Sequence, residues 1–280
     1  MNNLSQYIIE KLHLNKDIKV KEHNYHPKDK DELISLIENL LDERGKDTDL
    51  NDIDVSDITD TCNLFRYLYP HNIDISEWDV SNVTDMSGMF YNCIKFNSDL
   101  SKWNVSNVTD MSDMFYNCGN FNSDLSNWDI SNVENMKYMF SYCVKFNSDL
   151  SNWDVSNVKN MCCMFYFCIN LNLDLSKWNI SNVTDVSSMF FNCENFNSDI
   201  SKWDVSNVKY MSNMFYNCAN FNSDLSNWDV SNVENMYSMF FKCHKFNSDL
   251  SKWNVSNVKD MGKIFTGCNS LKNKPAWYYV

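Results

Sequence analysis

Between residues 100 and 125 the apolar positions follow two rhythms. Around Trp103 and Val105 they alternate with polar residues, the spacing of a short strand with one buried face. From Val108 through Met111, Met114, Phe115 and Cys118 they recur every three or four residues, which predicts a helical or 3₁₀ turn. Asn107 and the stretch Phe-Asn-Ser-Asp at 121–124 supply the residues that reverse a chain, because their short polar side chains bond neighbouring backbone groups.

The same words then recur. Trp stands at 78, 103, 128, 153, 178, 203, 228 and 253, Cys at 93 and every 25 residues to 268, and Phe at 90 and every 25 residues to 265. Fourteen of the 15 Met fill two further ladder positions, with Val186 and Ile264 as the exceptions. A degenerate copy begins at Ile53, with Leu68 where Cys is expected, which makes nine copies from about 53 to 277. A 25-residue unit cannot bury its own apolar stripe, but stacked on copies of itself it can. The expected fold is an α/β repeat solenoid of about nine coils, each a short strand plus a helical turn. At roughly 4.8 Å per coil it is a rod on the order of 40–45 Å long.

The ends differ from the repeat. Leu33, Ile34, Ile37, Leu40 and Leu41 give residues 29–44 one apolar face, with Asp29 or Asp31 as N-cap and Gly45 as C-terminal cap. This helix, and a shorter one at 4–12, predict an N-terminal helical cap over 1–52, ahead of a solenoid at 53–272. At 273–280 the repeat breaks, and Trp277 and Tyr278 are expected to cover the last coil as a C-terminal cap.

The frame W-[DN]-V-S-N-V-x-x-M-x-x-M-F-x-x-C resembles the BspA-type leucine-rich repeats, and within them the 25-residue subgroup. The resemblance covers residues 53 to about 272, in eight near-perfect copies. It implies a leucine-rich-repeat-like stack and a surface protein implicated in adhesion, as the family is found in host-associated bacteria, protozoa and large viruses. Two departures stand against it: no signal peptide is visible, and Trp and Met take the core positions of Leu.

Composition narrows the functions. The net charge of −13, without any basic cluster, argues against nucleic acid as a partner. The start MNNLSQYIIEKLHLNK has no basic n-region and no apolar core, so the default compartment is the cytoplasm, against the cell surface or secretion that the resemblance implies. No apolar run reaches the length of a membrane span, so no membrane insertion is expected. The Asn-x-Ser/Thr triplets then read as structural turns.

Eleven Cys invite a zinc or disulfide reading, but eight sit at one repeat position and paired zinc spacing is absent. Cys162 and Cys163 occupy variable positions and are the expected reactive thiols. His23 and His26 could sit on one turn, with no third ligand in view. Phosphate-binding and nucleophile-elbow motifs are absent, and a uniform lattice is a poor place for an asymmetric catalytic pair. Neither enzyme activity, nor a cofactor, nor a metal is expected. The Asp ladder at 99, 124, 149, 174, 199, 224 and 249 is expected to form Asx-turns, with a calcium lattice as the alternative. Asn107 and its equivalents are expected to bond the backbone amide groups of neighbouring coils.

Two faces remain for binding. The strand face exposes positions 102 and 104, among them Lys102, Asn104, Lys177, Lys202 and Lys252; it is polar and lacks aromatic anchors, which suits a repetitive ligand such as a glycan, or self-association. The helical side carries an aromatic stripe, Tyr91, Tyr116, Tyr166, Phe191, Tyr216 and Phe241, interrupted by Ser141. The expected function is that of a non-catalytic, adhesin-like or protein-interaction repeat protein. Its alternative is a calcium- or carbohydrate-binding lattice along the Asp, Asn and Lys ladders.

Overall fold

The computed structural model describes residues 23–278, so the helix expected at 4–12 lies outside the described residues. Helix α1 spans Lys30–Arg44. Of the two candidate caps it uses Asp29, whose carboxylate accepts from the Glu32 amide at 2.9 Å, while Glu32 reaches back to the Lys28 amide at 2.8 Å. Gly45 ends it at φ +88°, its amide donating to the Leu41 carbonyl. Leu33, Ile37, Leu40 and Leu41 are buried in the same core as the coils, and Ile34 packs on its rim.

Beyond α1 the chain is a repeat solenoid. Parallel bridges join Asp60, Asp85, Asp110, Asn135, Asn160, Asp185, Tyr210, Asn235 and Asp260 in succession, each to its equivalent in the next coil. Leu50 already behaves as a repeat residue, with its amide on the Asp74 carbonyl and its own carbonyl receiving the Trp78 indole N–H at 2.9 Å. The first coil therefore starts slightly before Ile53.

The coil is not the expected strand plus helical turn. Residues around Trp103 form reverse turns, Leu100 to Trp103 and Val105 to Val108, and the bridge falls at Asp110 instead. Over 111–118 the amides of Met111, Asp113, Phe115 and Asn117 donate to carbonyls of the next coil at 2.7–3.0 Å, while those of Met114, Tyr116 and Cys118 close local turns three residues back. A helix is broken here because Asp113 and Asn117 both have φ of +57°. A positive φ at the third residue is what a type II turn requires. The amides of this wall donate to the next coil, to local turns or, at Ser112, to the Asp110 carboxylate, rather than into a helical ladder.

The interior is columnar. Phe65, Phe90, Phe115, Phe140, Phe165, Phe190, Phe215, Phe240 and Phe265 stack with centroids 5.3–5.9 Å apart. A second column, including Phe96, Phe121 and Phe146, packs on the first, at 3.9–4.0 Å in those three coils. Each Trp indole donates to a carbonyl of the preceding coil, Trp203 to Leu175 at 3.0 Å, which is how so large a polar ring stays buried. Trp277 continues that column, 6.3 Å from Trp253, with its indole on the Leu250 carbonyl.

Candidate interaction surface

The eight ladder cysteines are structural. Each is buried, and Cys118 to Cys268 lie with sulfur 2.8–3.0 Å from a Phe carbonyl of the preceding coil. Burial pushes their thiols up, Cys93 and Cys268 to about 12.

The polar wall is built from Asn-Ser-Asp. Asn97 and its equivalents accept the amide one coil on, as Asn122 N–H to Asn97 at 2.7 Å. Asp99, Asp124, Asp149, Asp174, Asp199, Asp224 and Asp249 each accept the amide two residues later at 2.9–3.0 Å, the expected Asx-turn. Those bonds, with the neighbouring Ser hydroxyl, hold Asp99, Asp124, Asp174, Asp199, Asp224 and Asp249 below the usual carboxylate range. Asn107 and its equivalents bond the backbone of the previous coil as expected, the Asn107 Nδ2 group donating to the Ser81 carbonyl at 2.7 Å. Lys102, Asn104, Lys177, Lys202 and Lys252 are all exposed. They stand on turns, so the expected sheet face is a ridge of turns. Shallow polar grooves run between coils here, one of about 390 Å³ lined by Asp224, Asp249 and Lys252 and one of about 500 Å³ reaching Lys202.

On the other wall the six stripe residues Tyr91, Tyr116, Tyr166, Phe191, Tyr216 and Phe241 are half-buried. Tyr91 stacks on Tyr116 at 4.6 Å, Tyr166 on Phe191 at 4.6 Å, Phe191 on Tyr216 at 4.3 Å and Tyr216 on Phe241 at 4.5 Å. The Arg66 guanidinium caps one end, 4.1 Å above the Tyr91 ring. The gap at Ser141 is closed by a residue that sequence reasoning missed. Ser141 is fully buried, its hydroxyl without a partner among the described residues, and Tyr142 bridges Tyr116 and Tyr166 edge-on at 5.7 and 5.4 Å. Phe167 joins it at 5.1 Å. Both hold φ near +60°, at the repeat position where four coils have Asn. The sequence signal was that departure from Asn. The stripe is thus continuous from Arg66 to Phe241. Shared burial among these hydroxyls pushes the Tyr166 phenol up to about 12.

At the N-terminal end Asp54 meets His26 at 3.2 Å and His23 at 3.8 Å, a carboxylate partner the sequence did not reveal. Among the described residues, three metal-type ligand atoms converge within 4.8 Å only at Asp60, Cys62 and Asp85, and none belongs to the 99–249 Asp ladder. Asp60 there is already paired with Lys30 at 2.6 Å. No helix among the described residues is long and apolar enough to cross a membrane.

A family model described as "Mycoplasma protein of unknown function, DUF285" matches residues 35–143, 103–194 and 169–278, three overlapping segments that reach from α1 to the last coil. No curated protein and no solved structure matches the chain.

Proposed function

The chain belongs to the DUF285 family, a BspA-like repeat family, and on that premise we propose that it is a non-catalytic interaction protein of adhesin-like type. Kinship to the 25-residue leucine-rich-repeat subgroup and a place at the cell surface are parts of the same proposal. The observation that supports it is the continuous aromatic stripe on the turn wall. Stacked, half-exposed Tyr and Phe offer large rigid contact area at small entropic cost, which is the chemistry of binding hot spots. They stack at 4.3–4.6 Å on either side of the edge-on Tyr142, so a partner lying along the rod contacts several coils at once.

The second reading is a glycan or calcium lattice on the opposite wall, supported by the inter-coil grooves that carry Lys202 and Lys252. Paired variants separate the two. Tyr166→Ala with Tyr216→Ala is expected to weaken adherence to host-cell surfaces at least about tenfold, the loss of roughly one hot spot. Lys202→Ala with Lys252→Ala is expected to leave it unchanged. The reverse pattern, or a rise in melting temperature at millimolar calcium, transfers the function to the polar wall.

A further inference from the structure

One left-handed position varies from coil to coil, and in two adjacent coils it carries Tyr138 and Cys163. Asp113, Tyr138, Cys163 and Ser188 occupy one repeat position in four successive coils, and all have φ between +53° and +57°. A left-handed backbone is ordinary for Asp or Asn but strained for Tyr and Cys, and such strain concentrates at functional positions. Inter-coil bonds hold the strained residues in register, with the Cys163 amide on the Ser187 carbonyl at 2.9 Å and the Tyr138 amide on the Cys162 carbonyl at 2.9 Å. That register sets Cys163 between Tyr138 of the preceding coil and Ser188 of the following one. Its own neighbour in sequence, Cys162, places a second sulfur 3.6 Å away.

We propose that Cys162 and Cys163 form a reactive dithiol, with Cys163 as the nucleophile, Cys162 as the resolving thiol and a hydroperoxide as the oxidant. The site is independent of the docking reading above. Cys163 is assigned as the nucleophile from its setting: around it stand the Cys162 sulfur, 3.6 Å away, and the side chains of Tyr138 and Ser188 from the adjoining coils. Together they outweigh burial and hold its thiol below the usual range. Cys162, whose proton is engaged by Cys163, is pushed up. Cys163 is itself buried, 7% exposed, and the half-buried Cys162 beside it opens the pair to solvent, whereas the eight ladder thiols are buried and face carbonyls.

The chemistry balances with hydrogen peroxide as co-reactant. The Cys163 thiolate attacks one peroxide oxygen, the O–O bond breaks, and hydroxide leaves to be protonated as water, with a sulfenic acid remaining. The Cys162 sulfur attacks the sulfenic sulfur, its proton goes to the departing hydroxyl, and a second water leaves as the S–S bond forms. Two thiols lose two electrons and one peroxide becomes two waters. Adjacent Cα atoms lie about 3.8 Å apart, closer than the usual disulfide span, so the ring is strained and easily reduced. The modification is therefore reversible.

The test treats the native full-length chain with stoichiometric hydrogen peroxide, alkylates with iodoacetamide and reads the peptides by mass spectrometry. The peptide carrying both residues should lose two hydrogens and both alkylation sites, regain them with dithiothreitol, and do so before any ladder cysteine reacts. Cys162→Ser should leave a Cys163 sulfenic acid captured by dimedone. Tyr138→Phe should raise the pH midpoint of native Cys163 alkylation and slow the reaction at neutral pH about tenfold. The proposal is overturned if the pair reacts no faster than the ladder thiols, if Cys162 remains alkylatable while Cys163 is oxidised to the sulfinic acid, or if Tyr138→Phe leaves the alkylation profile where it was.

Discussion

Residue by residue, the fold turns on two left-handed positions per coil. Asn92, Asn117, Asn192 and Asn217 fill one of them at low cost, but Lys242 holds φ +57° there and Gly267 holds φ +83°. An L-residue in this region costs about 1–2 kcal/mol that glycine does not incur. Lys242→Gly is therefore expected to stabilise the protein by about 0.5–1 kcal/mol in denaturant melts, after allowing for glycine's greater freedom when unfolded. Gly267→Ala should do the opposite, since a Cβ there would lie 3.1 Å from the Lys242 Cα. Trp203→Phe keeps the ring stack but removes the indole bond to Leu175, at an expected cost of about 1–3 kcal/mol. The Asn and Asp at these turns were legible in the sequence as turn formers. Tyr142 was not, because its strained backbone and its place between Tyr116 and Tyr166 exist only once coils are stacked.

At the scale of the element, the coil shows why spacing alone misleads. In a reverse turn closed from residue i+3 to residue i, both ends can point inward, as Met111 with Met114 and Phe115 with Cys118 do. That gives the same three-to-four rhythm as a helix, so the apolar pattern could not separate them. Helix α1 was legible because its caps, Asp29 and Gly45, add information that periodicity lacks. The Asx-turns also set a pH dependence. Asp99, Asp174, Asp199 and Asp224 have folded pKa values below the ordinary 3.8, because Ser amides and hydroxyls bond the carboxylate. Their contribution is complete above that ordinary value and is lost as pH falls through the lower folded values. The melting temperature should be flat from neutral pH to about pH 5 and fall steeply below pH 4. A Tm series that stays flat to pH 2 would show that these turns contribute nothing.

For the whole molecule, regular stacking has a directional consequence. Peptide groups such as Asp110–Met111 and Ser112–Asp113 accept from the preceding coil and donate to the following one, so their dipoles align along the rod. In an ordinary parallel sheet such dipoles largely cancel. Stacking also converts scattered aromatic residues into one surface. All six stripe residues stand at one position of the 25-residue repeat, yet the sequence showed a broken stripe because Ser141 holds that position between Tyr116 and Tyr166. The three-dimensional neighbour Tyr142 closes it, and Arg66 extends it by one coil. The polar wall, by contrast, spends its Asn, Ser and Asp on holding coils together. The most direct measurement is therefore site-specific photo-crosslinking in the cells that make the protein, with a benzophenone side chain at 216 on the stripe or at 227 on the polar wall. Partner adducts from position 216 and none from 227 are the predicted result. Adducts from 227 alone, or none from 216 where the protein is shown to be present, would contradict the account.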